Sequence, residues 1–238
     1  MQKQRKEIDR WKEIRLHLNK NYNYSENWKK AVEIFQKRIE DKYLKPIEKI
    51  IKPNLRKGEG FTVVTVQCAL IETFAAFREG QIFNHNKPEE GGITYEYKDS
   101  RELFVNFLNS AKIFEKIFFN EIAGVKQQNT PFSGESFYSN VRCGLMHEAK
   151  TKKTWHINAT KDDNPDDKYF IKQKPKGNII YRTPLHYSLV KYFNKYCENL
   201  NNSEEQYNNL RRKFARKLDD LYELNSGEEK QMYEWWDF

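Results

Sequence analysis

The 238-residue chain predicts a mainly α-helical bundle with a small β-hairpin or meander inserted at about 154–183 and a helical extension at its N-terminus. Three observations carry that expectation. Apolar residues recur every three or four positions through most of the chain. Glycine, proline and cap-type residues fall where those stripes begin and end. Only after about residue 154 does the pattern shorten to strand-length runs separated by turn-forming clusters. The break at Lys57-Gly-Glu-Gly60 divides a basic N-terminal region, 1–57, from a main domain, 58–238.

Each element has its own justification. Ile8, Trp11, Ile14 and Leu18 keep helical spacing, and Ser25 is placed to cap a second helix whose face is Trp28, Val32, Phe35, Ile39 and Tyr43. Pro46 is expected to kink or interrupt that helix and Pro53 to end it. Phe61–Phe77 is apolar on nearly all sides, as in a central buried helix, and Gly80 closes it. Residues 81–99 read as a long polar connector. Ser100 is expected to cap a helix striped by Leu103, Phe107, Phe114, Phe118 and Ile122 and stopped by Gly124. Ser133 opens the next one. Strands are expected at Trp155–Ala159, Tyr169–Lys172 and Asn178–Arg182, with Asp162–Asp167 and Lys174–Gly177 as turns. Thr183-Pro184 marks a further helix start, and Ser203-Glu-Glu-Gln206 matches a capping box ahead of a last helix carrying Leu210, Phe214 and Leu218.

Composition narrows the function classes. Cys68, Cys143 and Cys197 are odd in number and widely spaced, which fits reduced thiols rather than a disulfide framework. No apolar run of membrane-spanning length stands out, no membrane partner is expected, and the N-terminus lacks the apolar stretch of a signal peptide. The cytoplasm is the expected location. The net charge of +8 is uneven: residues 1–57 hold 17 Lys/Arg against 8 Asp/Glu, and the remainder 25 against 26. So concentrated a positive region attracts polyanions such as RNA; the alternative is a solvated helix face.

One segment combines charge with proton chemistry: Phe137-Tyr-Ser-Asn-Val-Arg142-Cys-Gly-Leu-Met-His147-Glu148. Arg142 supplies a permanent planar cation suited to phosphate oxygens. His147, five residues on, can exchange a proton near neutrality. At ~100° per residue, Tyr138, Val141, Gly144 and Leu145 share an apolar sector with Phe137. Arg142 falls at about 140° and His147 at about 280° from Phe137, flanking an outer strip of Ser139, Cys143 and Met146. Glu72, a carboxylate inside the apolar helix, needs a partner; Arg142 is one candidate, and an exposed polar edge near Thr65 and Gln67 is the alternative.

Arg142-Cys-Gly-Leu-Met-His147 resembles the Arg-x4-6-His motif of HEPN domains, helical proteins common in bacterial toxin–antitoxin and anti-phage defence systems. Ala69–Gly80 is similar to the helix that precedes the motif in such proteins. The resemblance covers roughly residues 60–200, and Cys143 stands where a polar residue often follows the motif arginine. It implies an antiparallel helical bundle, a homodimer with both motifs lining one cleft, and metal-independent RNA cleavage without a cofactor. In that reading Arg142 and His147 are catalytic, Glu72, Tyr138, Ser139, Cys143 and Glu148 support them, and a cognate antitoxin or defence protein is a possible partner. Two other readings stand beside it: a non-catalytic module binding nucleic acid or nucleotides, and a protein-interaction subunit using the aromatic tail, Met232–Phe238.

Other chemistries lack their residues. Cys143, His147 and His156 have no convincing fourth zinc ligand. Neither a glycine-rich phosphate loop nor a Gly-x-Ser-x-Gly turn occurs. The Asp162–Asp167 carboxylates read as a solvated turn, and His85 and His186 have no informative sequence neighbours.

Overall fold

The structure, a computed structural model, describes residues 2–18, 23–53, 58–88, 95–128, 132–159 and 170–224. In chain order these residues form helices α1 (Gln2–Arg15), α2 (Glu26–Ile39), α3 (Lys45–Ile51) and α4 (Glu59–Glu79). Strands β1 (Ile82–Phe83) and β2 (Glu96–Tyr97) and helices α5 (Ser100–Ser110) and α6 (Lys112–Phe118) follow. Next come β3 (Phe119–Ile122), β4 (Val125–Gln128), α7 (Gly134–Phe137) and α8 (Cys143–Glu148). The last elements are β5 (Trp155–Asn158), β6 (Ile171–Lys174), β7 (Gly177–Tyr181), α9 (Arg182–Leu200) and α10 (Asn208–Leu221). The fold is mainly α, as expected. The expectations for Asp162–Asp167, Tyr169 and the aromatic tail fall outside the described residues.

Contacts divide the chain into two interleaved units rather than at residue 57. One comprises 1–41, 74–98 and 193–238, and the other 42–73 and 99–192. The first is built on an aromatic cluster. Phe35 meets Phe77 at 4.1 Å, Phe214 at 5.5 Å and Phe193 at 5.6 Å between ring centres. Trp11 and Arg15 on α1 both reach the buried carboxylate of Asp219, at 2.7 and 2.5 Å. Arg211, fully buried, donates to the carbonyls of Leu200, Asn202 and Glu204. It thereby ties down the turn between α9 and α10, whose orphan carbonyls need donors.

The second unit carries the motif. Phe104, Phe107, Phe114, Phe118, Phe137 and Phe170 are fully buried. The ring of Phe137 packs edge-on against Trp155 at 5.9 Å. Gln67 on α4 donates to the carbonyl of Arg182 at 2.7 Å, and Arg182 pairs with Glu59 at 2.7 Å. Helix α4 is, among the described residues, long and apolar enough to cross a membrane by length and composition, contrary to the sequence expectation. Val63, Val64, Leu70 and Ile71 on it are buried within the protein.

Several expectations are corrected. The second helix does not keep one stripe to Tyr43, because a π turn spans Glu40–Leu44. That turn brings Leu44 to the core and leaves Tyr43 36% exposed; Pro46, in the first turn of α3, has no N–H to continue regular bonding. The helix expected from Ser100 to Ile122 breaks at Ala111, whose backbone is extended (φ −73°, ψ 117°). Residues 119–128 form an antiparallel hairpin with Ala123-Gly124 at its tip. A spacing of four lies on one face of a strand as well as of a helix, so the stripe did not distinguish them. The later sheet has order β5-β7-β6: a β6–β7 hairpin with β5 added in parallel, not a meander. Helix α9 opens at Arg182, which places Thr183 inside its first turn. The last helix begins with a 3-10 turn at Glu205–Tyr207 rather than at a Ser203 cap. Residues 81–99 hold a short parallel pairing of β1 with β2.

Candidate functional site

The motif segment is three short helical pieces. Ser133 caps the first, its hydroxyl accepting from the Ser136 amide at 3.1 Å, as expected. A π turn over Tyr138–Arg142 joins α7 to α8, and such turns interrupt regular helical register. Phe137, Tyr138, Val141, Gly144 and Leu145 are buried, as their helical spacing anticipates, and Met146 is 51% exposed. Arg142 departs from the outer strip. Its guanidinium folds against the Tyr138 ring, 5.3 Å from its centre, and its side chain is only 18% exposed.

Arg142 is held on two sides. One of its Nη atoms donates to Glu72 Oε2 at 3.2 Å and to Ser100 Oγ at 3.3 Å. Glu72 therefore takes the partner the sequence offered it. Ser100 does not cap α5: Asp99 does, accepting from the Arg101 amide at 2.9 Å. That frees the Ser100 hydroxyl to lie 3.3 Å from the Tyr138 phenol as well. Burial pushes the Tyr138 phenol above its ordinary value, against the opposing pull of Ser100 and Arg142. For Arg142, burial acts to lower the value, but Tyr138 and Glu72 outweigh it and the cation is held more firmly charged.

The other expected residues are distributed around this core. Ser139 donates to Glu135 at 2.8 Å and accepts from Arg101 at 3.4 Å. Cys143 is half-buried, while Cys68 is fully buried and pushed up to about 12 by desolvation, with Arg142 pulling the other way. Glu148 pairs with Lys152 at 2.7 Å and Lys150 at 3.8 Å, not with the motif. Lys152 holds the Glu148 carboxyl below its usual range. His147 is exposed in the last turn of α8; no hydrogen bond or ion pair joins it to Arg142. The structure thus gathers Glu72, Ser100, Tyr138 and Arg142, and leaves His147 on the surface.

Gly144 explains the segment's shape. A β-carbon there would lie 2.4 Å from the Lys150 carbonyl oxygen. The chain after α8 doubles back across it: the Lys152 amide donates to the Asn140 carbonyl at 2.7 Å. Sequence reasoning missed Ser100, read as a cap, and Arg101 with Glu135. The only signal for them was their place at helix starts. The N-terminal cations are partly committed elsewhere: Arg15 to Asp219 and Arg38 to Glu7. Among the described residues no three His, Cys, Asp or Glu side chains gather as a metal site. No family model, curated protein or solved structure matches this chain.

Proposed function

We propose that the chain is a HEPN-like, metal-independent endoribonuclease of a bacterial defence or toxin system. The observation that carries the reading is the held guanidinium of Arg142. Only one of its nitrogens is engaged by Glu72 and Ser100, so other donors of its planar fork remain for phosphate oxygens. Five residues on, His147 is exposed and able to move protons.

In this reading the 2′-hydroxyl attacks the adjacent phosphorus and the 5′-oxygen leaves, giving a 2′,3′-cyclic phosphate. His147 transfers the proton, and Arg142 stabilises charge on the non-bridging oxygens. The motif supplies one histidine, His147, which serves one face of an in-line displacement, and this favours pairing two protomers with their motifs in one cleft. Exposed Met146, beside half-buried Ser139 and Cys143, is the surface for that pairing. The test is incubation with total RNA and tRNA, with and without EDTA, and mapping of the ends. Cyclic phosphate ends that survive chelation support the reading; cleavage that needs a metal contradicts it.

A second reading has its own observation. Glu72 neutralises Arg142, which suits an anchoring cation as well as a catalytic one. A non-catalytic nucleic-acid-binding module would bind RNA and leave it intact.

A further inference from the structure

Arg101 was not singled out by its sequence, yet it shares the motif's central ring. Its guanidinium carbon lies 5.1 Å from the centre of Tyr138, and that of Arg142 lies 5.3 Å from the same ring. Two permanent cations are thus held within roughly 10 Å of each other. The ring they share is itself fixed: Tyr138 is 5% exposed, its ring centre lies 5.3 Å from that of Phe104 in a T-shaped contact, and its phenol lies 3.3 Å from the Ser100 hydroxyl. Like charges so placed repel, and each has its own carboxylate, Glu72 for Arg142 and Glu135 for Arg101.

The two pairs differ in exposure. Arg142 and Glu72 are 18% and 25% exposed, while Arg101 and Glu135 are 49% and 46% exposed. An ion pair so open to solvent holds its partners only weakly, so a phosphate, which accepts charge-assisted bonds in the same fork geometry, can displace Glu135. Ser139 lies beside the same guanidinium, 3.4 Å from it, and adds a hydroxyl donor.

We propose that Arg101 is a second phosphate-binding residue, forming with Arg142 a two-guanidinium seat for neighbouring phosphates of single-stranded RNA. The inference rests on the ribonuclease reading for its substrate class but not for its chemistry, since binding precedes any cleavage. It assigns Arg101 to positioning: the strand is held by a phosphate next to the one that reacts.

The test is binding of a short single-stranded 2′-O-methyl RNA, which lacks the attacking hydroxyl, across a series of salt concentrations. Arg101→Ala is expected to weaken binding roughly tenfold and to reduce the salt slope by about 0.7, the loss of one phosphate contact on a single strand. Glu135→Gln, which removes the competing carboxylate, is expected to tighten binding about threefold. Lys195→Ala, which removes an equal charge from an exposed pair with Glu198 on α9, serves as the control and is expected to change neither quantity. Circular dichroism of each variant confirms the fold. If Arg101→Ala behaves like Lys195→Ala, or if the wild-type protein does not bind the analogue, the seat is overturned. If the analogue binds through Arg101 but natural RNA is never cut, the seat stands and the ribonuclease reading falls.

Discussion

Glu72 and Arg142 are 70 positions apart in sequence, and their side chains meet at 3.2 Å. The pair joins α4 to the π turn that precedes α8, and it sets the rotamer of the one arginine on which the proposed chemistry depends. Burial alone would make so enclosed a cation costly. The carboxylate, the Ser100 hydroxyl and the Tyr138 ring together offset that cost.

Replacing Glu72 with Gln therefore leaves Arg142 without its counter-charge in a half-buried place. The expected loss is about 1–2 kcal/mol of stability, read as a lower urea midpoint with an unchanged slope. In RNA cleavage the same variant is expected to lose kcat more than it raises KM, because the guanidinium is present but no longer fixed.

Gly144→Ala tests the doubled-back loop. A methyl 2.4 Å from the Lys150 carbonyl oxygen forces backbone to move, at a cost of about 1–3 kcal/mol. Thermal unfolding should fall accordingly, and the amide of Lys152, bonded to Asn140, should lose protection from hydrogen exchange.

His186 gives the fold a pH dependence. It is fully buried, and burial holds its imidazole below the ordinary value of 6.5, against the opposing pull of Glu48 at 3.6 Å. The unfolded chain then takes up the proton more readily than the folded one. Stability from this group is present above about pH 6.5 and lost as pH falls toward the depressed folded value. Urea midpoints at pH 7.5 and 5.5 should differ less for His186→Leu than for the wild type.

Met146→Glu tests the proposed pairing surface. A carboxylate at an exposed apolar position leaves the isolated fold intact, within about 0.5 kcal/mol, but opposes its own symmetry mate across a two-fold contact. Light scattering should report a monomer, and RNA cleavage should fall with it.

Much of this was legible in local patterns. Trp11, Trp28, Val32 and Phe35 were placed on buried faces by spacing alone, and Ser133 by its position before a helix. What was not legible depends on distant partners. A π turn adds one residue to a helix in response to packing or to a proline downstream, so Leu44 replaced Tyr43 in the core and Arg142 turned inward. Ser100 looks like a cap until Asp99 takes that role and leaves its hydroxyl to the site. The parallel pairing of β5 with β7 depends on a long connection whose register no local periodicity encodes. Glu72 was a carboxylate in need of a partner, and the sequence allowed two answers; folding chose Arg142.

The most direct measurement is cleavage of total RNA by the wild type and by His147→Ala. His147 is exposed and outside the Glu72–Arg142 network, so the substitution leaves the melting temperature unchanged. Cleavage is expected to be lost, by roughly a hundredfold or more, while RNA binding is retained. Undiminished cleavage by a folded His147→Ala protein would contradict it.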